Sequence, residues 1–214
     1  LRVPPGAEFV LFDGRGGEYD ARIERIERDR VVVALGAWRD VERESPLAVT
    51  LIQAVQAGEK MDFTVQKAVE LGVAQIVPVD SRRSVTRLAG ERAARRVAHW
   101  QGVAAAACEQ CGRNQVPLVA SLEKLENWLA RPAPGGLRLI LAPDAPQALV
   151  DLPPAPAVQL LIGAEGGLDP QEIIAAQQVG FMAVRMGPRV LRTETAGLAA
   201  LAALQALWGD FRGG

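Results

Sequence analysis

From residue 8 to residue 35 apolar and polar positions alternate with a period near two, as in Tyr19-Asp20-Ala21-Arg22-Ile23-Glu24-Arg25-Ile26. That period turns one face of an extended chain toward a core and the other toward water. Strands are predicted over residues 8–12, 18–26 and 30–35, with a turn in Asp13-Gly14-Arg15-Gly16-Gly17. Residues 1–45 therefore read as a small β-rich domain, a sheet or barrel. Residues 38–46 are charged, end in Ser45-Pro46 and break the periodicity, which predicts a link between two domains.

Beyond Pro46 the rhythm becomes strand, helix, strand, the pattern of an α/β domain over residues 46–214. Strands are predicted over 47–54, 75–79, 137–142, 158–162 and 181–186, and helices over 61–71, 91–111, 122–129 and 195–208. Gly72 and Gly112 stand where helix C-caps belong. Asp169-Pro170-Gln171-Glu172 carries an N-cap, a proline at the first helical position and a capping-box glutamate, so a helix starts there and ends near Gly180. The proline-rich stretches 132–136 and 143–156 are predicted loops. The last helix is apolar almost all round, with Leu198, Leu201, Leu204 and Leu207, which predicts burial on more than one side and a homodimer.

Charge and cysteine content narrow the function classes. Lys plus Arg number 24 and Asp plus Glu 25, so no global field draws the chain to nucleic acid, and any RNA contact must come from local basic patches. Only Cys108 and Cys111 are present, against a disulfide scaffold and in keeping with a reducing cytoplasm. Their C-x-x-C has no second pair and His99 is the sole histidine, so a structural role is expected and no metal site. The same shortage of histidine leaves no Ser-His-Asp or Cys-His arrangement to defend. No apolar run is long enough for a membrane span, so a soluble, cytoplasmic protein without a membrane partner is expected. Leu1 lies inside a strand-like region, so the first domain is expected to lack a leading segment.

Chemistry is expected at two loops that each follow a strand and precede a helix, where ligands of open α/β sheets bind. They are Gly163-Ala164-Glu165-Gly166-Gly167 and Gly187-Pro188-Arg189-Val190-Leu191-Arg192-Thr193-Glu194. Neither matches a dinucleotide or nucleoside triphosphate fingerprint. From composition alone, two tight strand-to-helix turns remain the alternative.

The run 161–167 together with Met186-Gly187-Pro188-Arg189-Val190-Leu191-Arg192-Thr193-Glu194-Thr195-Ala196 closely resembles the signature of the bacterial 16S ribosomal RNA uridine N3-methyltransferases (RsmE family) of the SPOUT superfamily. Glu59-Lys60-Met61-Asp62, Gln66-Lys67-Ala68-Val69-Glu70-Leu71-Gly72 and Glu109-Gln110-Cys111-Gly112-Arg113-Asn114 are similar to the same family's first helix and central motif. The resemblance implies a SPOUT-type parallel sheet with a C-terminal trefoil knot, preceded by a PUA-like β-barrel, and a homodimer whose interface adjoins the cofactor. It implies S-adenosyl-L-methionine bent between the two loops, with Leu141, Ile162, Gly163, Glu165, Gly166, Gly167, Met186, Gly187, Val190, Leu191, Thr195 and Ala196 as cofactor-binding residues. Backbone groups of Met186, Val190 and Leu191 would hold the adenine. A valine at Gly166 is expected to intrude on the cofactor.

The substrate implied is a uridine of 16S ribosomal RNA, free or in the small ribosomal subunit. Glu165, Glu194, Arg192 and Arg113 are the polar residues expected around its N3 atom. Arg82, Arg83 and Arg87, in a loop after a strand, are expected RNA contacts, with Arg113 and Asn114. Two other readings stand beside this one. Ribose 2′-O-methyltransferases of the superfamily share the Gly-x-Glu-Gly loop but carry an Asn in the last loop, where this chain has Leu191-Arg192-Thr193-Glu194-Thr195. An RNA-binding assembly factor without catalysis would keep the fold.

Overall fold

The period-two segment forms Glu18–Ile26 (β2), the middle strand of an antiparallel sheet with Glu8–Leu11 (β1) and Val31–Arg39 (β3) on its flanks. The computed structural model describes residues 4–132 and 135–212, so part of the predicted loop 132–136 lies outside the described residues. β3 runs four residues past the predicted end and takes in Trp38 and Arg39, which the sequence assigned to the interdomain link. Cross-strand pairing explains the extension, since Tyr19 stands opposite Trp38 and Glu18 opposite Arg39. Glu18 is buried and accepts bonds from Arg43 and Arg39 at 2.7 and 2.9 Å. The Arg43 hydrogen bond, against the opposing effect of burial, holds its carboxyl below the usual range.

The chain divides into two units, Leu1–Glu44 with Cys108–Val116, and Ser45–Ala107 with Pro117–Gly214. The segment after the long helix belongs to the β-rich unit. Its tie is backbone pairing: Gly16 N donates to Asn114 O and Val116 N to Gly14 O, both at 3.1 Å. Asn114, almost wholly buried, donates from Nδ2 to Val41 O at 2.6 Å, and Arg113 makes a two-pronged contact with Glu44.

In the second unit an eight-stranded sheet contains Ala48–Ala54 (β4), Gln75–Asp80 (β5), Leu118–Val119 (β6), Glu123–Lys124 (β7), Leu137–Leu141 (β8), Gln147–Ala148 (β9), Ala157–Ile162 (β10) and Met182–Arg185 (β11). Every pairing is parallel, in the order β6-β5-β4-β10-β8-β11-β9, with β7 also on β5. A parallel sheet is covered on both faces, which is why β4 and β10 read as near-continuous apolar runs. The helices are Lys60–Glu70 (α1), Gly90–Cys111 (α2), Leu125–Leu129 (α3), Pro170–Gln178 (α4) and Thr193–Trp208 (α5). One core cluster packs Ile52, Val77, Ile140, Leu161 and Phe181 with Leu125 and Leu129 of α3 and Ala176 of α4. Each such side chain contributes about 1.5–3 kcal/mol on full burial. α1 and α5 pack together with Met61, Val65, Leu201 and Leu204 buried.

The predicted capping box at α4 is formed: Gln171 N donates to Asp169 Oδ1 at 3.0 Å and Asp169 N to Glu172 Oε2 at 2.9 Å. β6, β7 and β9 are two residues long, too short to leave a period in the sequence. Glu123 and Lys124 begin the predicted helix 122–129 as a strand. The expected α/β fold with a parallel sheet is therefore present, and in the β-rich unit the described strands form one three-stranded sheet.

Candidate active site

Strand order alone places the candidate loops together. β10, β8 and β11 are consecutive in the sheet and parallel, so the loops leaving their carboxyl ends meet on one side. Between them lies a cleft of about 570 Å³. Leu141 ends β8 with Ala142 and Pro143 after it, Gly163 to Leu168 follow β10, and Val190 to Thr193 with Ala196 follow β11. A narrower recess of about 80 Å³ shares Leu141, Leu191 and Ala196 with it and adds Met186, Gly187 and Arg189. Of the predicted cofactor residues, Leu141, Ile162, Gly163, Glu165, Gly166, Gly167, Val190, Leu191 and Ala196 line the cleft, and Met186 and Gly187 line the recess. Thr195 lines neither.

The glycine loop is a tight turn in which Gly167 N donates to Ala164 O at 2.8 Å. Gly163 is the position that cannot carry a side chain: an added Cβ would stand 2.6 Å from the Gly167 carbonyl carbon and 2.7 Å from Leu168 N, both backbone. Gly167 sits at φ +71°, in the left-handed region that favours glycine. At Gly166 the nearest neighbour would be Arg83 Cβ at 3.3 Å, a contact that a small shift relieves.

Buried polar side chains fix the loop from behind. Thr193 Oγ1 donates to Gly163 O at 2.5 Å and accepts from Gln53 Nε2 at 3.2 Å. The Gln56 amide, turned so that its nitrogen faces Thr64 Oγ1 at 2.8 Å, accepts from Glu194 N at 3.2 Å. Glu165 Oε1 accepts from Ala57 N at 3.0 Å and from Lys60 Nζ at 3.4 Å, and the same ammonium lies 3.9 Å from Glu194 Oε1. Burial alone would raise the Glu165 pKa, but the Ala57 N–H, its own backbone N–H and Lys60 more than offset this and hold the carboxyl below its ordinary value. Glu165 is thus a tethered carboxylate and a poor proton acceptor. The other oxygen of Glu194, Oε2, is buried without a hydrogen-bond partner.

Lys60, Gln53, Gln56 and Thr193 are absent from the sequence-derived site. One signal pointed to Lys60: a cation in the first turn of a helix opposes the helix dipole, so a lysine there calls for anions nearby.

Arg192 caps α5 through its backbone carbonyl, and its exposed guanidinium has no ion pair or side-chain hydrogen bond among the described residues. Arg113 and Asn114 are not brought into this cleft. Arg113 belongs to the β-rich unit, is 7% exposed at its side chain and is engaged by Glu44; Asn114 is buried. Their sequence neighbourhood could not show a carboxylate 69 positions away. Arg82, Arg83 and Arg87 stand in the loop after β5 as predicted, each about half exposed. All three are partnered: Arg83 Nη1 donates to Gly166 O at 3.1 Å, Arg82 bonds Gln171, and Arg87 bonds Asp80 and Ser81 O. Cys108 is buried, which pushes its thiol up to about 11. Among the described residues no cluster of three His, Cys, Asp or Glu side chains could hold a metal ion, and no helix is long and apolar enough to cross a membrane.

A parallel α/β sheet with a cleft between glycine-rich strand-end loops, in a chain that also carries a β-rich unit, suits a two-domain RNA methyltransferase. Residues 43–205 match the RNA methyltransferase domain and residues 1–35 the RNA methyltransferase PUA domain, so the chain belongs to the RNA methyltransferase family. It is 39% identical to ribosomal RNA small subunit methyltransferase E of Buchnera aphidicola (Schizaphis graminum) over 98% of this chain and 86% of the relative. The protein of that name from Bacillus subtilis is 28% identical over 95% of this chain and 83% of the relative. Among solved structures, ribosomal RNA small subunit methyltransferase E from Neisseria gonorrhoeae bound to S-adenosyl methionine superposes with a TM-score of 0.94 at 45% identity, over 99% of this chain and 88% of that one. A Legionella pneumophila methyltransferase in complex with the same cofactor gives 0.94 at 41% identity, over 99% and 87%.

Proposed function

We propose that this protein transfers a methyl group from S-adenosyl-L-methionine to N3 of a uridine in 16S ribosomal RNA. The observation that carries the reading is the single cleft made by three strand-end loops, on a fold shared with two proteins that hold this cofactor. The cleft suits the group. Its volume lies within the usual range for small-molecule sites, Leu141, Ile162 and Leu191 supply apolar walls for a purine, and the glycine loop exposes backbone polar groups. Anionic Glu165 lines it and complements a cationic ligand.

When bound, the cofactor supplies an electrophilic methyl group and a neutral thioether leaving group. N3 lies on the Watson–Crick edge, so the uridine must be unpaired when it enters. Glu194, two residues from Arg192 and with its backbone N–H held by Gln56, accepts the N3 proton, and the freed N3 lone pair forms the bond to the methyl carbon. Arg192, without an ion-pair partner among the described residues, balances the charge that develops on the uracil oxygens. Glu165 holds the loop in place. Base methylation is favoured over ribose methylation because the last loop carries Arg192 and Glu194 and no Asn. A homogeneous preparation incubated with cofactor and unmodified 16S RNA tests the reading; no incorporated methyl would overturn it.

The trefoil knot and a PUA-like barrel belong to the same proposal, as does a cytoplasmic location on small-subunit RNA. A homodimer is part of it: the packed pair α1 and α5 leaves Phe63 49% exposed and Leu198 and Leu207 partly so.

A further inference from the structure

Beside the cleft, at the carboxyl ends of β5 and β7, is a second cavity of about 410 Å³. Leu125, Leu129 and Ala175 form an apolar side, and Asp80, Glu126 and Glu172 balance Arg82, Arg87 and Lys124 around it. Such a pocket has no net charge to select phosphate. It offers hydrogen-bond donors and acceptors over an apolar surface, which is how a heterocyclic base is held.

The two cavities share their dividing walls. α4 turns Ile173 to the cleft and Gln171, Glu172 and Ala175 to the cavity. In the loop after β5, Arg83 reaches Gly166 O of the glycine loop while Arg82 and Arg87 line the cavity. Arg82 N donates to Glu172 Oε1 at 2.8 Å, which locks loop and helix together. Lys124 and Gln171 are left at the rim. The side chain of Lys124 is 67% exposed, with Glu126 at 3.8 Å as its only ion-pair partner among the described residues.

We propose that this cavity is a base-binding subsite: it takes the nucleobase next to the target uridine when the RNA strand is splayed open over the cleft. This rests on the RNA methyltransferase reading and adds the recognition of a flanking base. Arg82 and Arg87 then contribute as the fixed polar wall of a base pocket, with their charges already met by Gln171, Asp169 and Asp80.

The test uses the full chain, S-adenosyl-L-methionine and unmodified 16S RNA transcripts that carry each of the four bases in turn on either side of the modified uridine. Ala175→Trp fills the cavity from α4, and Lys124→Glu alters only its exposed rim, in case the first variant misfolds. In both, KM for RNA should rise about tenfold while the cofactor Kd by calorimetry stays within about twofold of the parent chain, a coupling of ordinary size for one base contact. The parent chain should prefer one flanking base, and Ala175→Trp should lose that preference. An unchanged KM in both variants would overturn the subsite. So would a parallel rise in cofactor Kd, because the cavity would then belong to the cleft. Absence of methyl transfer by the parent chain would instead strike the functional reading itself.

Discussion

Thr193 Oγ1 donates to the carbonyl of Gly163 at 2.5 Å and so fastens the first turn of α5 to the glycine loop after β10. Both ends are held further by Gln53, whose amide reaches Thr193 Oγ1 at 3.2 Å and Gly163 O at 3.4 Å. Thr193→Val keeps the shape and removes the donor. A lost buried hydrogen bond costs about 1–2 kcal/mol, so cofactor affinity by calorimetry should fall roughly tenfold. Thr193→Ser should restore most of it. Equal affinity in the valine variant would show that this bond does not shape the site.

Glycine sensitivity should be uneven along one loop. Gly163→Ala forces backbone against backbone at 2.6 Å and should abolish measurable cofactor binding and lower the Tm. Gly166→Ala meets only the Arg83 side chain at 3.3 Å and should bind within about threefold of the parent. Within the protein itself, Gly163 is therefore the position of this loop least able to carry a Cβ. Reversed sensitivities would contradict it.

Glu165 links loop stability to pH. Its folded-state pKa is lowered, so its contribution is fully present above the ordinary carboxylate value of 4.5 and is lost as pH falls through the lower folded value. In thermal melts the stability gap between the parent chain and Glu165→Gln should be widest above pH 4.5 and close below it. A gap that widens toward acid would mean that the carboxylate is not held by Ala57 and Lys60.

The exposed Phe63 provides a test of association. Phe63→Glu should shift the light-scattering mass at micromolar concentration from twice the chain mass toward one chain, since a charge placed in an apolar interface is strongly disfavoured. A single-chain mass for the parent protein would contradict the dimer.

Much of this is legible in the sequence, for local reasons. The bounds of β2 follow from alternation alone, and the capping box at Asp169 is complete within four residues. The glycine loop and the run 186–196 are continuous in sequence and keep their chemistry together. What could not be read is non-local. Lys60 meets Glu165 across 105 positions, and Arg113 meets Glu44 across 69, separations that no local pattern reveals. The two-residue strands β6 and β7, the second of which ends at the second cavity, have no period to detect.

Arg192 and Glu194 carry the proposed chemistry. Arg192→Ala should lower kcat on ribosomal RNA by about 10²-fold, the usual loss for one charge-stabilising donor, with cofactor Kd nearly unchanged. Glu194→Gln should lower kcat similarly. A loss seen only in KM would make Arg192 a binding group.

The most direct measurement is the position of the methyl group. Unmodified 16S RNA incubated with this protein and S-adenosyl-L-methionine should, after digestion and mass spectrometry, give a single methylated uridine with the methyl on the base at N3. A methyl on ribose, or RNA that stays unmodified, would contradict the account.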